Sequence, residues 1–243
     1  MKSILSLVAV AAMLVGSNAL AIDPAKLTQA LASSDRSDAD KELDAGRKPV
    51  QVLDYLGLEE GMTALDVMAG GGWYTEVLSR AVGPNGKVLM QNSPASLARG
   101  TTEATVAERV NGRLNNVERV NRDISDLGIA PDSVDFIITN LNFHDVYNGN
   151  PEAAQAMLAS LKAVLKPGGT FAIIDHIGNP GADNAALHRM PTQDAVNAAR
   201  QAGFTIVDSE SKVLHSPNDD HTLSPFAESL DRNTDRFILK LTK

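Results

Sequence analysis

The stretch LDVMAGGGWYTEVLS, residues 65–79, carries the strongest indication of a fold in this chain. A short apolar run containing Asp66 breaks into three glycines and resumes with the amphipathic pattern of a helix. Glycine lets the backbone turn sharply and approach a ligand closely, and the helix that follows offers free N–H groups at its N-terminus. The stretch therefore predicts a strand, a ligand-binding loop and a helix in that order. A glycine-rich turn without a ligand is the alternative.

Strands and helices alternate along the chain around this loop. The sequence predicts strands at 63–68, 87–91, 117–121, 134–140, 170–175, 204–209 and 236–241. It predicts helices at 50–56, 73–82, 95–114, 151–165 and 191–202. The alternation indicates an α/β fold, a Rossmann-like, seven-stranded, mostly parallel sheet with helices on both faces. A polar stretch instead of a helix joins the last two strands, which predicts an antiparallel edge hairpin at the C-terminus.

The first residues predict a cleavable export signal. Lys2 supplies a positive charge, residues 4–15 form a short apolar segment, and Ala19-Leu20-Ala21 matches a small-x-small cleavage site. The apolar segment is shorter than the roughly 20 residues of a membrane-spanning helix, so a retained anchor is the lesser alternative. We expect cleavage after Ala21 and a periplasmic or secreted protein.

Composition narrows the range of partners. The 243 residues carry a formal net charge of −8 and no cysteine, which excludes disulfides and a lipid anchor on cysteine. Because the chain is acidic and has no lysine- and arginine-rich run, we predict a small-molecule substrate and no nucleic acid. No segment after the signal is apolar for long enough to cross a membrane, and nothing in the sequence specifies an oligomeric state. The predicted divisions are the signal at 1–21, a helical arm at 22–48 and the main domain at 49–243.

A series of motifs follows in order between residues 50 and 204. The glycine loop comes first, NFHDV follows the fourth predicted strand, and LKPGGTFAIID leads into the fifth. In this order the motifs resemble the class I S-adenosylmethionine-dependent methyltransferases. More narrowly, GGGWYTEVL, NFHDVYN and IIDH resemble a group of exported, predicted methyltransferases. The resemblance implies S-adenosylmethionine as cofactor and methyl transfer to a small-molecule acceptor.

The same resemblance implies a set of cofactor-binding residues. They lie in the glycine loop and at the ends of the next three strands: Asp66, Gly70, Gly71, Gly72, Asn92, Asp123, Ile124 and Asn140. Two positions depart from the family pattern. Met68 replaces the first glycine of the loop, and it either points away or narrows the space for the cofactor. Asn92 replaces the usual acid at the ribose, where an amide lacks the strength of a charge-assisted hydrogen bond. An exported ligand-binding or accessory protein without catalysis is therefore the alternative to an enzyme.

Polar residues follow the fourth and fifth strands, where a sheet of this kind binds its ligands. A histidine suits removal of a proton from a hydroxyl or amine acceptor at neutral pH. We therefore predict His144 or His176 as the base, oriented by Asp145 or Asp175; the alternative is that these residues only shape the crevice. With His188 they could also supply metal ligands, but no tight spacing on one element supports a metal, so none is predicted.

Overall fold

The computed structural model describes residues 20–243, so nearly all of the predicted export signal at 1–21 lies outside the described residues. The helices are α1 (Pro24–Leu31), α2 (Asp38–Arg47), α3 (Pro49–Leu56), α4 (Trp73–Val82), α5 (Pro94–Leu97), α6 (Thr102–Val110), α7 (Phe143–Gly149), α8 (Pro151–Val164), α9 (Asn184–Leu187) and α10 (Thr192–Gln201). The strands are β1 (Leu20–Ala21), β2 (Glu59–Glu60), β3 (Thr63–Val67), β4 (Lys87–Gln91), β5 (Val117–Val120), β6 (Val134–Asn140), β7 (Leu165–His176), β8 (Thr205–Glu210) and β9 (Arg236–Thr242). Within 20–243, no helix combines the length and apolar character needed to span a membrane.

Seven strands form the central sheet, in the order β5-β4-β3-β6-β7-β9-β8. The first five in this order are mutually parallel, and β9 runs antiparallel to both of its neighbours. This arrangement confirms the predicted Rossmann-like fold with its antiparallel C-terminal strands. The chain runs outward from β3 to β5 and then returns to β6 on the other side of β3. Such a reversal opens a crevice beyond the carboxyl ends of β3 and β6, where ligands bind in sheets of this type.

Two apolar clusters cover the two faces of the sheet. Leu65 and Ile137 belong to the cluster beneath α8 and α10, whereas Ala64 and Phe136 belong to the cluster beneath α1, α3 and α4. All four residues are fully buried. Successive strand residues point to opposite faces, so each central strand contributes to both clusters. The sheet is therefore rigidly held on both sides, and its carboxyl edge is free to carry a site.

Three local predictions were wrong. The helix predicted at 95–114 is two helices, α5 and α6, because the backbone at Gly100 takes a φ of 50° and interrupts the helix. No helix was predicted for the NFHDV segment, which follows the fourth predicted strand, but it forms the start of α7. β7 begins at Leu165, before the predicted start at 170, because the KPGG segment continues the strand beside an irregularity in β6.

Helix α2 of the N-terminal arm packs against the carboxyl end of the sheet. Ser37 caps it by accepting a hydrogen bond from the backbone N–H of Asp40 at 3.1 Å. The indole N–H of Trp73, at the start of α4, donates to the Asp40 carbonyl at 3.1 Å. The guanidinium of Arg47 lies 4.5 Å from the centre of the Trp73 ring. The arm therefore forms one wall of the crevice.

Candidate active site

The loop between β3 and α4 opens onto a cavity of about 360 Å³, which we name the loop cavity. Five of the predicted cofactor residues line it: Asp66, Gly70, Gly71, Gly72 and Asn140. Its other walls are Asp40, Leu43, Arg47, Met68, Ala69, Trp73, Tyr74, Arg109, Leu141 and Asn142. At Gly70 φ is 55°, and no atom of the described chain lies within 4 Å of the position that a Cβ would take. The glycines therefore leave open space beside the start of α4.

Met68 does not close the loop cavity. Its backbone takes a φ of 54°, the left-handed conformation that glycine adopts easily and other residues adopt at a cost of about 1–3 kcal/mol. Its N–H donates to the side-chain carbonyl of Gln91 at 2.8 Å. Its side chain packs against the apolar cluster that contains Phe143. Met68 therefore lines the loop cavity without filling it.

Asp66 is a fully buried carboxylate on the wall of the loop cavity. Its Oδ2 accepts a hydrogen bond from the hydroxyl of Thr75 at 2.6 Å. Burial raises the pKa of Asp66 to about 7, although the hydrogen bonds from Thr75 and the charges of Arg47 and Arg109 act in the opposite direction. The group therefore changes its charge near neutral pH, which an exposed aspartate does not do.

Arg109 of α6 fixes the arrangement of the loop and the arm. Its Nε donates to the carbonyl of Gly71 at 2.6 Å. Its Nη1 donates to the carboxylates of Asp40 at 2.8 Å and Glu76 at 2.7 Å. Because Asp40 lies on α2 and Glu76 on α4, one side chain joins three helices and the glycine loop. The carboxylate of Glu76 is fully buried among arginines.

A second cavity of about 420 Å³, which we name the histidine cavity, adjoins the loop cavity. The two share three lining residues, Leu43, Arg47 and Leu141. The remaining walls of the histidine cavity are Ala39, Glu42, Ala45, Gly46, His144, Asp145, His176, Pro225, Phe226, Asp231, Arg232, Asn233 and Arg236. Two ligands, one in each cavity, would therefore meet at Leu141, just beyond the end of β6.

Asp175, at the end of β7, holds the imidazole of His144. The His144 Nδ1 lies 2.6 Å from Asp175 Oδ1, and the His144 backbone N–H donates to Asp175 Oδ2 at 2.8 Å. Because the carboxylate can only accept, Nδ1 carries the proton and Nε2 has the free lone pair in the neutral ring. Burial lowers the pKa of His144, but the hydrogen bond and charge of Asp175 and the charge of Asp145 outweigh it and leave the pKa above its ordinary value.

His176 is placed differently. Its Nδ1 is 2.7 Å from the hydroxyl of Thr234. Burial holds its pKa well below the ordinary value, and the nearby positive charges of Arg236 and Arg189 act in the same direction. Of the two histidines predicted as the base, His144 is therefore the one with an orienting carboxylate.

A third histidine joins the site from a distant part of the chain. His188, which follows α9, places its Nδ1 2.9 Å from Asp145 Oδ1, and His144 Nε2 lies 3.1 Å from the same oxygen. The ring centres of His144 and His188 are 5.8 Å apart. We name these three residues, His144, Asp145 and His188, the histidine cluster.

The chain matches the family described as a methyltransferase domain over residues 58–224, which is more than half of its length. The chain belongs to the methyltransferase domain family. The assignment confirms the class I S-adenosylmethionine-dependent methyltransferase predicted from the motifs, with S-adenosylmethionine as the cofactor of the family.

Relatives of this methyltransferase domain include enzymes and solved structures. A demethylmenaquinone methyltransferase of Staphylococcus aureus is 30% identical over 125 residues, 51% of this chain and 47% of that protein. The chain thus spans about half the length of the curated relatives that it matches. A SAM-dependent methyltransferase from Aquifex aeolicus has a TM-score of 0.61 and 24% identity over 90% of this chain and 97% of its own. One from Mesorhizobium loti has a TM-score of 0.53 and 17% identity over 76% of this chain and 92% of its own. These two structures share the fold.

Three predicted cofactor residues of the methyltransferase domain do not line the loop cavity. Asn92 is buried, and its amide accepts from the Gly70 N–H at 2.9 Å and donates to the Gly70 carbonyl at 3.0 Å. Asn92 therefore holds the glycine loop through both atoms of its amide, and its predicted contact with the ribose stays a prediction. Asp123 is exposed and Ile124 packs against the core, so neither reaches the loop cavity in this structure.

The sequence motifs missed the residues that the arm contributes. Asp40, Leu43 and Arg47 line the loop cavity, yet α2 lies outside the matched residues 58–224. The sequence predicted a helical arm at 22–48 but not its place over the site. Of these residues, only Arg47 has a sequence signal, as a positive charge near the C-terminus of a helix. Positive charges are common at that position, so the signal could not identify a binding residue.

Proposed function

We propose that this chain transfers the methyl group of S-adenosylmethionine to a small-molecule acceptor bound in the histidine cavity. The observation that carries the proposal is that the loop cavity and the histidine cavity adjoin along Leu43, Arg47 and Leu141. A donor in one cavity and a nucleophile in the other would be aligned across this boundary. Alignment of two reacting groups can lower the barrier of a transfer by about 7–11 kcal/mol.

The residues of the loop cavity fit S-adenosylmethionine. The Asp66 carboxylate and the Arg47 guanidinium on its walls match the positive and negative groups of an amino acid moiety. The open space at Gly70 admits a ligand close to the backbone. When bound, S-adenosylmethionine supplies a methyl group on a positively charged sulfur, which a nucleophile takes directly. Binding and orientation are therefore the tasks of this cavity.

The histidine cavity fits a small organic acceptor. Its volume of about 420 Å³ lies in the range of small-molecule sites. Apolar walls such as Phe226 and Leu141 lie beside His144. The small-molecule substrate named for the Staphylococcus aureus relative supports an acceptor of this class. In our proposal the acceptor has a hydroxyl or amine, His144 Nε2 receives its proton, and Asp175 keeps the ring oriented.

Two glycine variants test the cofactor site. Gly70 and Gly168 both have positive φ, 55° and 78°, and at both the described chain leaves at least 4 Å free around a Cβ. Gly70→Leu and Gly168→Leu therefore carry a similar backbone strain, but only the first side chain enters the loop cavity. We expect calorimetry to show binding of S-adenosylmethionine and its demethylated product to the full chain and to Gly168→Leu, and a loss of at least tenfold in affinity in Gly70→Leu.

Methyl transfer is measured with methyl-labelled S-adenosylmethionine and a panel of small phenols, reduced quinones and amines. We expect label in at least one of them, and less label with His144→Ala. Absence of cofactor binding by the full chain, or equal loss in both glycine variants, would contradict the proposed site. Binding of S-adenosylmethionine without any methyl transfer would favour the alternative, a ligand-binding or accessory protein without catalysis.

A further inference from the structure

The histidine cluster has the geometry of a metal-binding site. One ligand atom from each of His144, Asp145 and His188 lies within 4.8 Å of the other two. Asp145 Oδ1 is 3.1 Å from His144 Nε2 and 2.9 Å from His188 Nδ1. Two ligand atoms each about 2.1 Å from one ion, at roughly tetrahedral or right angles, are about 3.0–3.4 Å apart. We propose that the cluster binds a divalent transition-metal ion.

The state of His144 Nε2 is a second, independent observation. The His144 side chain is only 4% exposed, and Nε2 has no hydrogen-bond partner in residues 20–243. Asp145 Oδ1 is close to it, but the angle is not that of a hydrogen bond. A buried polar atom without a partner is costly, and a metal ion on the lone pair would remove that cost.

The surroundings of the cluster hold its ligands in position. Asp175 accepts a hydrogen bond from Nδ1 of His144, as carboxylates do behind histidines that bind metals. His188 ends α9 as its C-cap residue, in the left-handed conformation common at helix ends, with a φ of 51°. The next residue, Arg189, is anchored by a fully buried ion pair with Asp219 at 2.6 Å. The ring of His188 also rests edge-on against Phe226, with centres 5.2 Å apart.

The ligand set defines the kind of metal. Two imidazoles with one carboxylate favour zinc, cobalt or nickel over magnesium and calcium, which prefer oxygen ligands. Three protein ligands leave at least one coordination position free. Because His144 and Asp145 line the histidine cavity, this position faces that cavity.

The metal site goes beyond the proposed function and does not depend on it. A metal ion and a proton compete for the same lone pair on His144 Nε2, so the metal-bound form is not the form that removes a proton. A second group, Asp219, His221 and Asp235, also has metal-type ligand atoms close together. Its carboxylates accept hydrogen bonds from Arg189 and from backbone N–H groups, and, unlike His144 Nε2, none of its side-chain polar atoms is buried without a partner among residues 20–243. It therefore serves as the comparison site.

The test uses the full chain after removal of metal with a chelator, without cofactor or acceptor. Zinc is titrated by calorimetry, and cobalt by its visible absorption, which reports the coordination geometry. We expect one zinc ion per chain and a cobalt spectrum of low coordination number. Loss of a residue that only hydrogen-bonds to a metal ligand already costs about 10–100-fold in metal affinity. His188 is itself a proposed ligand, so we expect His188→Ala to lower zinc affinity by at least about 100-fold. His221→Ala should bind zinc like the parent.

Asp145→Asn provides a second variant of nearly unchanged shape, and thermal unfolding without metal checks that each variant is folded. Asp145→Asn should lose zinc affinity as His188→Ala does. Failure of the parent chain to bind zinc would overturn the proposal, as would unchanged binding in His188→Ala and Asp145→Asn. Loss of binding in His221→Ala alone would assign the metal to the comparison site. Since S-adenosylmethionine is absent from these titrations, their failure leaves the test of the proposed function unaffected.

Discussion

At the scale of single residues, Asp66 links the loop cavity to the pH dependence of stability. Its pKa is raised to about 7 in the folded chain, mainly by burial, from an ordinary value of 3.8. The folded state therefore binds a proton more tightly than the unfolded state does. As pH rises from about 4 to about 7, this preference is lost and stability falls.

The corresponding prediction concerns Asp66→Asn. The amide cannot ionise, so we expect the variant to lose the fall in stability between pH 4 and pH 7. The free energy of unfolding of the variant, minus that of the parent chain, should therefore increase by about 2–4 kcal/mol from pH 5 to pH 8. The free energy of unfolding from urea titrations at the two pH values measures this. Parallel pH profiles for the two chains would show that Asp66 is already ionised at pH 5.

Two residues show how far the glycine loop could be predicted. The motif located the loop correctly, and it identified Met68 and Asn92 as departures from the family pattern. It could not show that Met68 takes the backbone conformation of a glycine, or that Asn92 binds Gly70 with both amide atoms. Backbone conformation and hydrogen-bond partners depend on neighbours from other strands, such as Gln91 for Met68.

At the scale of elements, the arm is held over the site by Arg109. Its ion pairs with Asp40 and Glu76 are largely buried. We expect Arg109→Ala to lower the free energy of unfolding by about 2–3 kcal/mol, because several charge-assisted hydrogen bonds are lost together. Residues of α2 should also exchange their amide hydrogens faster and become accessible to proteases.

Arg119→Ala is the matched control, because Arg119 pairs with Glu103, whose side chain is 54% exposed, and does not contact the arm. Such a pair contributes about 0–1 kcal/mol, so this variant should leave hydrogen exchange in α2 unchanged. Equal exchange of α2 in the two variants would mean that apolar packing, and not Arg109, holds the arm.

Element boundaries followed from the sequence where periodicity was strong. α4, β4 and β6 have the predicted bounds, because a buried helix face or a continuous apolar strand is visible in a single sequence. The break between α5 and α6 was missed, since a single glycine within a helical pattern is often tolerated. α7 was missed because its residues were interpreted by their chemistry and not by their helical spacing.

At the scale of the whole molecule, we propose that the chain is exported and cleaved after Ala21. We expect protein recovered from a bacterial host to lie in the periplasm or medium and to have Ile22 as its first residue, by cell fractionation and intact mass. Replacing the apolar residues 4–15 by a polar segment should keep the chain in the cytoplasm. Intact chains that retain Met1 in the cytoplasm would contradict the proposal, and the narrower resemblance to exported methyltransferases would lose its support.

From the amino-acid sequence alone one could predict the α/β class, the seven strands of the central sheet, the glycine loop and the side chains at the ends of β6 and β7. These features are local, because periodicity and turn chemistry are properties of neighbouring residues. Three features came to light only in the folded chain: α2 covers the loop cavity, Asn92 holds the loop, and His188 contacts Asp145, which lies 43 residues away in the sequence. Contacts between distant segments depend on how the elements pack, and no spacing within one element records that packing.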